Sequence, residues 1–136
     1  MKTPLLFVYG TLRREAGKEV HELLRKNGRY QGRGTVRGKL FRLDGYPGLV
    51  LSNNAEDTVV GEVYRLDNEH IDKTLSELDE YEGMGHSDPP PHEYRRETVS
   101  VRMNGSIVDA WAYVMNRSPE GRPRIQSGDF LDQRVS

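Results

Sequence analysis

The dipeptide Asn104-Gly105 lies between two segments, 94–103 and 107–115, that are rich in β-branched and aromatic residues. The first segment alternates, with Val99, Val101 and Met103 facing one way and Thr98, Ser100 and Arg102 the other. Asn-Gly is preferred in two-residue turns between antiparallel strands because both of its residues tolerate positive φ. The sequence therefore predicts a β-hairpin over 94–115.

Four more segments have the pattern of strands. Residues 5–9 form a continuous apolar run, which is typical of a strand buried on both faces. Residues 29–43 predict a long strand, and its glycines predict bulges or sharp coiling: Gly32, Gly34 and Gly38. Residues 49–51 and 58–66 predict two further strands on either side of a loop.

Two segments have helical spacing. Val20, Leu23 and Leu24 indicate a first helix. A second follows Asp67 or Asn68, either of which can cap it, and buries the stripe Ile71, Leu75 and Leu78. These elements predict a single α+β domain over residues 1–136, in which about six strands form a small, curled, barrel-like mixed sheet flanked by helices.

Composition limits the classes of function. The formal net charge is -1, which argues against a nucleic-acid-binding protein. The chain has no cysteine, so disulfides, thiolate zinc sites and a cysteine nucleophile are excluded. The apolar run 5–9 is too short for a signal peptide or a membrane span, so we expect a cytoplasmic protein without a membrane partner. The sequence does not indicate the oligomeric state.

Glu82 occupies the next position on the apolar stripe of the second helix, after Leu78. It also precedes Gly83, which can end the helix. Burial and the negative end of the helix dipole both disfavour a charged carboxylate, so we expect a raised pKa suited to acid/base catalysis. Alternatively, the helix ends at Asp79 or Glu80 and Glu82 is solvated.

The turn after the first strand is a candidate ligand site, because ligands often bind where a strand ends and a helix starts. Gly10 permits close approach to the backbone, and the N–H groups of Thr11 and Leu12 could hold an anion. A tight turn without a ligand is the alternative. We call this segment the 9–12 turn.

The region from residue 84 to 93 contains a second, competing candidate site. His86, Asp88, His92 and Glu93 could bind a metal ion, although three consecutive prolines make the stretch irregular and favour a solvated loop. The same loop could instead cover a pocket as a lid. The arginines of the tail alternate with acidic residues, so we expect a solvated segment there.

Taken together, these segments resemble the gamma-glutamylcyclotransferase-like, or AIG2-like, family over nearly the whole chain. The motifs that carry the resemblance are Phe7-Val8-Tyr9-Gly10-Thr11-Leu12-Arg13, Tyr46-Pro47-Gly48, Gly61-Glu62-Val63-Tyr64, Leu78-Asp79-Glu80-Tyr81-Glu82-Gly83, Tyr94-Arg95-Arg96, Trp111-Ala112-Tyr113-Val114 and Ser127-Gly128-Asp129-Phe130.

The resemblance implies a curled barrel with a pocket at its mouth, and a reaction that needs neither cofactor nor metal. The α-amine of a gamma-glutamyl group attacks its own side-chain carbonyl, and 5-oxoproline forms as an amine or amino acid leaves. The family's catalytic glutamate falls on Glu82, and its substrate loop on Tyr9, Gly10, Thr11 and Leu12. Tyr9 and Tyr113 are candidate pocket walls or hydroxyl donors, with core packing as the alternative. A module of the same fold that binds a small acid without turnover is the competing reading.

Overall fold

Six strands and one helix lie wholly within the described parts of the chain. A computed structural model of the protein describes residues 4–10, 26–43, 47–81 and 94–130. The elements are β1 (Leu5–Val8), β2 (Gly28–Arg42), β3 (Pro47–Leu51), β4 (Thr58–Leu66), a 3-10 turn (Asn68–His70), α1 (Ile71–Tyr81), β5 (Tyr94–Met103) and β6 (Ser106–Met115).

The strands close into a barrel. Hydrogen-bonded neighbours follow the order β1-β4-β2-β3-β6, and β6 pairs with β1 to complete the ring. β1 and β3 run parallel to β6, whereas the other pairs are antiparallel, so the sheet is mixed. β5 pairs with β6 along its whole length and meets β2 at Thr35 and Arg102. The predicted curled, mixed sheet of six strands is confirmed.

The predicted hairpin is β5 and β6. Asn104 and Gly105 have φ of 51° and 76°, as a two-residue turn between right-twisted strands requires. Met103 pairs with Ser106 directly beside this turn, so β6 begins one residue before the predicted position.

β3 also begins earlier than predicted, at Pro47 instead of Leu49, and pairs there with Arg42. Proline lacks an N–H, which a strand tolerates at its first residue. The proline therefore hid the start of the strand from the sequence pattern.

Apolar side chains form two clusters, one on each face of the sheet. The barrel interior contains residues from all six strands, among them Phe7, Leu40, Leu49, Val63, Val101 and Val114. The outer cluster lies between the sheet and α1, and contains Leu6, Tyr64, Leu66, Leu75, Leu78, Tyr94, Tyr113 and Met115.

The second predicted helix is confirmed, and it buries the predicted stripe. Leu75 and Leu78 are fully buried, and Ile71 packs against the same cluster. Asp67 caps the preceding 3-10 turn by accepting the N–H of Glu69 at 3.2 Å. The first predicted helix falls largely on residues outside the described ranges. No helix in the described ranges combines the length and the hydrophobicity needed to cross a bilayer.

Two apolar side chains anchor the tail on the barrel. Ile125 is buried in the barrel interior and Phe130 packs against it, whereas Leu131 lies outside the described residues. Gly128 adopts φ of 70° and accepts the N–H of Val60 at 2.7 Å. A Cβ at this position would lie 1.9 Å from the carbonyl oxygen of Thr58, so only glycine fits.

Asp57 fixes the loop between β3 and β4. Its carboxylate accepts the Ser52 hydroxyl at 2.8 Å and the Arg124 guanidinium at 3.0 Å. The hydrogen bond from Ser52, supported by Arg124, outweighs burial and lowers the pKa of Asp57 below its ordinary value of 3.8.

Leu78→Ala should destabilise the protein by about 2–5 kcal/mol, because it leaves a cavity beneath α1 in the outer cluster. Urea unfolding followed by circular dichroism measures this loss. Ser76→Ala, at an exposed position of the same helix, is the control and should change the free energy of unfolding little. Equal effects of the two substitutions would contradict the packing described for α1.

Asp57→Asn should destabilise the protein most above about pH 5, and the difference from the wild type should shrink below about pH 4. The folded pKa is lowered, so the stabilisation is fully present above 3.8 and is lost as the pH falls through the folded pKa. Urea unfolding between about pH 3 and pH 7 tests this. The matched control is Glu56→Gln on the same loop, and parallel pH profiles for wild type and Asp57→Asn would refute the prediction.

Candidate active site

One end of the barrel gathers most of the motifs singled out in the sequence. β1 and β6 are parallel and end there, since Leu6 pairs with Trp111. The described chain leaves this end at Gly10 and returns to it at Pro47 and Tyr94. We call it the site end of the barrel.

The Tyr9 hydroxyl joins three strands at the site end. Tyr9 is buried, and its hydroxyl donates a hydrogen bond to the backbone carbonyl of Tyr113 at the end of β6. The same hydroxyl accepts the backbone N–H of Leu49 in β3 at 3.3 Å. This side chain therefore fixes the beginning of the 9–12 turn relative to β3 and β6.

Gly10 packs directly against the beginning of β3. A Cβ on Gly10 would lie 2.7 Å from Cγ of Pro47, so a side chain here would push the turn away from β3. Tyr94, the first residue of β5, donates its hydroxyl to the carbonyl of Pro47 at 2.5 Å. The motifs around residues 10, 47 and 94 are thus parts of one packed unit.

The last turns of α1 are attached to the site end by Asp79. Its carboxylate accepts two hydrogen bonds from the Arg96 guanidinium, at 2.8 and 3.2 Å, and the Tyr113 hydroxyl at 2.7 Å. Arg96 and Tyr113 are direct cross-strand neighbours on β5 and β6, which places both donors on one face of the sheet. We call Asp79, Arg96 and Tyr113 the Asp79 clamp.

The clamp is sheltered and further supported by Trp111. The side chains of Arg96 and Asp79 are 23% and 21% exposed, so water screens their attraction less than at an open surface. The Arg96 guanidinium also lies 4.7 Å from the centre of the Trp111 ring, in a cation–π contact. Hydrogen bonds to a charged group contribute about 1.5–3 kcal/mol each, enough to fix the end of a short helix.

A buried carboxylate lies beside the end of β1. Glu62 on β4 pairs with Val8 and is only 2% exposed. It accepts the Tyr64 hydroxyl at 3.2 Å on the outer face of the sheet. This contact explains the polar residue within the otherwise apolar strand motif of residues 61–64.

The structure brings together three of the predicted site residues. Tyr9, Gly10 and Tyr113 lie at the site end, and both tyrosine hydroxyls are bonded to protein groups. Thr11, Leu12 and Glu82 lie outside the described residues, so their predicted roles stay predictions. The helix continues to Tyr81, so the alternative in which it ends at Asp79 or Glu80 is wrong.

The loop with the proposed metal ligands, residues 84–93, also lies outside the described ranges. Within those ranges, no group of histidines and carboxylates is arranged to hold a metal ion.

Sequence reasoning missed the clamp, although one signal pointed to it. Asp79 follows Leu75 by four residues, so it borders the buried stripe of α1. A carboxylate at such a position needs a cation or several donors. The adjacent arginines of the motif at residues 94–96 were the available cations.

Comparison with known proteins agrees with this arrangement. The profile of the family described as gamma-glutamyl cyclotransferase, AIG2-like, matches residues 6–132. The gamma-glutamylcyclotransferase family protein YtfP of Escherichia coli K12 is 36% identical over 129 residues, which cover 94% of this chain and 96% of that protein.

Solved structures show the same fold. The solution structure of ytfP from Escherichia coli superposes with a TM-score of 0.63 at 35% identity, over 95% of this chain and 97% of that one. YkqA from Bacillus subtilis gives 0.68 at 30% identity, over 95% of this chain and 40% of that one. A mouse AIG2-like protein, 22% identical with a TM-score of 0.64 over 91% of this chain and 86% of that one, shares the fold.

The motifs, the closed mixed barrel and these matches together show that the chain belongs to the gamma-glutamyl cyclotransferase, AIG2-like family.

Proposed function

We propose that this protein is a cofactor-independent gamma-glutamyl cyclotransferase whose acid/base residue is Glu82. The observation that carries the proposal is the Asp79 clamp, which attaches the end of α1 to β6 beside the buried Tyr9. Glu82 follows Asp79 by three residues, close to one helical turn. The clamp therefore favours a position for Glu82 near the beginning of the 9–12 turn.

The proposed reaction is an intramolecular acyl transfer. The α-amine nitrogen of a gamma-glutamyl group bonds to its own γ-carbonyl carbon, and the bond from that carbon to the leaving nitrogen breaks. The products are 5-oxoproline and a free amine or amino acid, without oxidation or reduction. Because nucleophile and electrophile belong to one molecule, the protein mainly has to hold the substrate in a folded conformation.

Glu82 would serve as base and then as acid. The substrate amine is normally an ammonium ion, which cannot attack until a proton is removed. The Glu82 carboxylate would accept this proton and then deliver it to the departing nitrogen. A second proton, released by the attacking nitrogen once its new bond has formed, would follow the same route through Glu82, so that the leaving amine departs as an ammonium ion. The proton balance then closes on one residue, without a metal-bound water.

The 9–12 turn would hold the substrate. Gly10, Thr11 and Leu12 offer backbone N–H groups that can bind the α-carboxylate or the developing oxyanion. Tyr9 and Tyr113 would act as walls, since their hydroxyls are already engaged by protein groups. Membership of the family supports a small-molecule substrate, and the proposal gives no role to nucleic acid or a membrane.

Glu82→Gln should lower kcat by at least about 100-fold, because amide replaces the group that moves the proton. Release of 5-oxoproline from a panel of gamma-glutamyl amino acids and gamma-glutamylamines provides the measurement. Glu69→Gln, at an exposed position before α1, is the matched control and should retain activity. Full turnover by Glu82→Gln would refute the role of Glu82, and binding without release by the wild type would indicate a non-catalytic module.

Asp79→Asn should lower kcat by roughly 10- to 100-fold and leave KM nearly unchanged, because misplacing a catalytic group affects the transition state more than binding. Glu77→Gln, a similar change on the same helix, serves as control. Urea unfolding of both variants separates the loss of activity from a loss of folded protein. An equal loss of kcat in both variants, or a change in KM alone, would contradict a positioning role for the clamp.

A further inference from the structure

A second concave surface lies toward the hairpin end of β5 and β6, away from the site end. It is a groove of about 600 Å³ between β5 and the end of β3, and we call it the β3–β5 groove. Its floor contains the buried Val36 and Val99. The groove exists because β2 pairs with β5 at Thr35 but with β3 only from Gly38 onward, so the two neighbouring strands diverge.

β5 presents an open edge to this groove. Met103 and Ser106 flank a two-residue turn, so they form a hydrogen-bonded pair. Because such pairs alternate along an antiparallel ladder, the preceding odd-numbered residues of β5 also form hydrogen-bonded pairs with their partners on β6. The even-numbered residues Thr98 and Ser100 consequently direct their backbone N–H and C=O groups to the opposite side. Along that side, β2 is the only described strand that pairs with β5, and it does so at Arg102 alone.

Apolar and cationic side chains border the open edge. Leu51 and Ile107 are 41% and 65% exposed, and both line the groove. Arg37 and Arg102 are exposed on either side of it, and in the described parts of the chain neither makes an ion pair or a side-chain hydrogen bond. The surface thus offers backbone hydrogen bonds, apolar contacts and uncompensated positive charge in one place.

None of the thirteen described residues that line the groove is acidic. Of the acidic residues on the segments that border it, Glu56 is exposed on the loop after β3, Glu97 pairs with Arg95, and the other two are engaged as well. Asp57 is bonded to Ser52 and Arg124, and Asp109, the cross-strand neighbour of Ser100, makes a contact of its own. The charge of the groove therefore favours an anionic occupant.

A second copy of the chain fits this edge poorly in the register that places Thr98 opposite Ser100. If two β5 strands paired antiparallel with Thr98 opposite Ser100, Arg96 would lie opposite Arg102, and like charges in that arrangement are destabilising. β5 would also bring no free carboxylate to Arg37. The positive charge of the groove therefore favours an acidic strand from another polypeptide over a second copy of β5.

We propose that the β3–β5 groove binds an extended acidic polypeptide segment, which adds to the edge of β5 as an extra strand. The N–H and C=O groups of Thr98 and Ser100 pair with the backbone of the segment, and Arg37 and Arg102 bind its carboxylates. Leu51 and Ile107 contact apolar side chains that alternate with the acidic ones. This interaction is independent of the proposed catalysis, because none of its residues belongs to the site end.

The test uses the full ¹⁵N-labelled chain and three capped octapeptides. The first alternates glutamate and valine, the second alternates lysine and valine, and the third is the acidic peptide with every second backbone nitrogen methylated. We expect saturable shifts and slowed solvent exchange at the Thr98 and Ser100 amides with the first peptide. The lysine peptide should bind at least about tenfold more weakly, and the methylated peptide should lose binding because it cannot donate to the strand edge.

Variants locate the interaction. Arg37→Glu combined with Arg102→Glu should weaken binding of the acidic peptide at least about tenfold. Arg29→Glu combined with Arg65→Glu makes the same change in net charge on β2 and β4 outside the groove, and should have a much smaller effect. Amide spectra of both variants verify the fold, and 5-oxoproline release should be unchanged in both, so failure here is distinguishable from failure of the proposed function.

Several outcomes would overturn the proposal. They are the absence of shifts at Thr98 and Ser100 at millimolar peptide, equal binding of the lysine or the methylated peptide, and equal losses in the two double variants. A further contradicting outcome is dimerisation, measured by sedimentation in the absence of peptide. If dimer formation shifted the Thr98 and Ser100 amides, the occupant of the groove would be a second copy of the chain.

Discussion

The hydrogen bonds of the Tyr9 hydroxyl are the interaction on which the site end depends. This buried group bonds to the carbonyl of Tyr113 and the N–H of Leu49, so it joins β1, β6 and β3 at one point. Tyr113 extends the connection, because its own hydroxyl reaches Asp79 on α1. A continuous set of hydrogen bonds therefore links the strand that enters the 9–12 turn with the helix that leads to Glu82.

Tyr9 and Tyr113 each contribute both apolar packing and a hydrogen-bonding hydroxyl. Their rings fill the clusters on opposite faces of the sheet, and their hydroxyls satisfy polar groups that the ends of β6 and α1 would otherwise leave buried. Polar contacts thus connect the barrel interior to α1. Apolar packing is not directional, so by itself it would fix the position of α1 along the sheet less well. Directional hydrogen bonds of this kind fix the end of α1 relative to β1 and β6.

Local patterns in the sequence were sufficient to predict the strands and α1, but not the pairing that closes the strands into a barrel. Asn104-Gly105 predicted the hairpin, and the spacing of Leu75 and Leu78 predicted the buried face of α1, since both depend on neighbouring residues. The parallel pairs of β1 and β3 with β6 join distant segments, so no local period reveals them. At the site, the same limit hid the partners of the Tyr9 hydroxyl and the bond between Arg96 and Asp79, whereas the helical stripe and the resemblance to a family both pointed to Glu82.

A crystal structure of the protein with bound 5-oxoproline tests the central claim most directly. The account predicts that the Glu82 carboxylate lies within about 3 Å of the ring nitrogen, in hydrogen-bond reach of the atom whose proton it moves. The ligand carboxylate or ring oxygen should accept backbone N–H groups of residues 10–12. A Glu82 side chain directed into bulk water, with the ligand bound at another surface, would contradict the account.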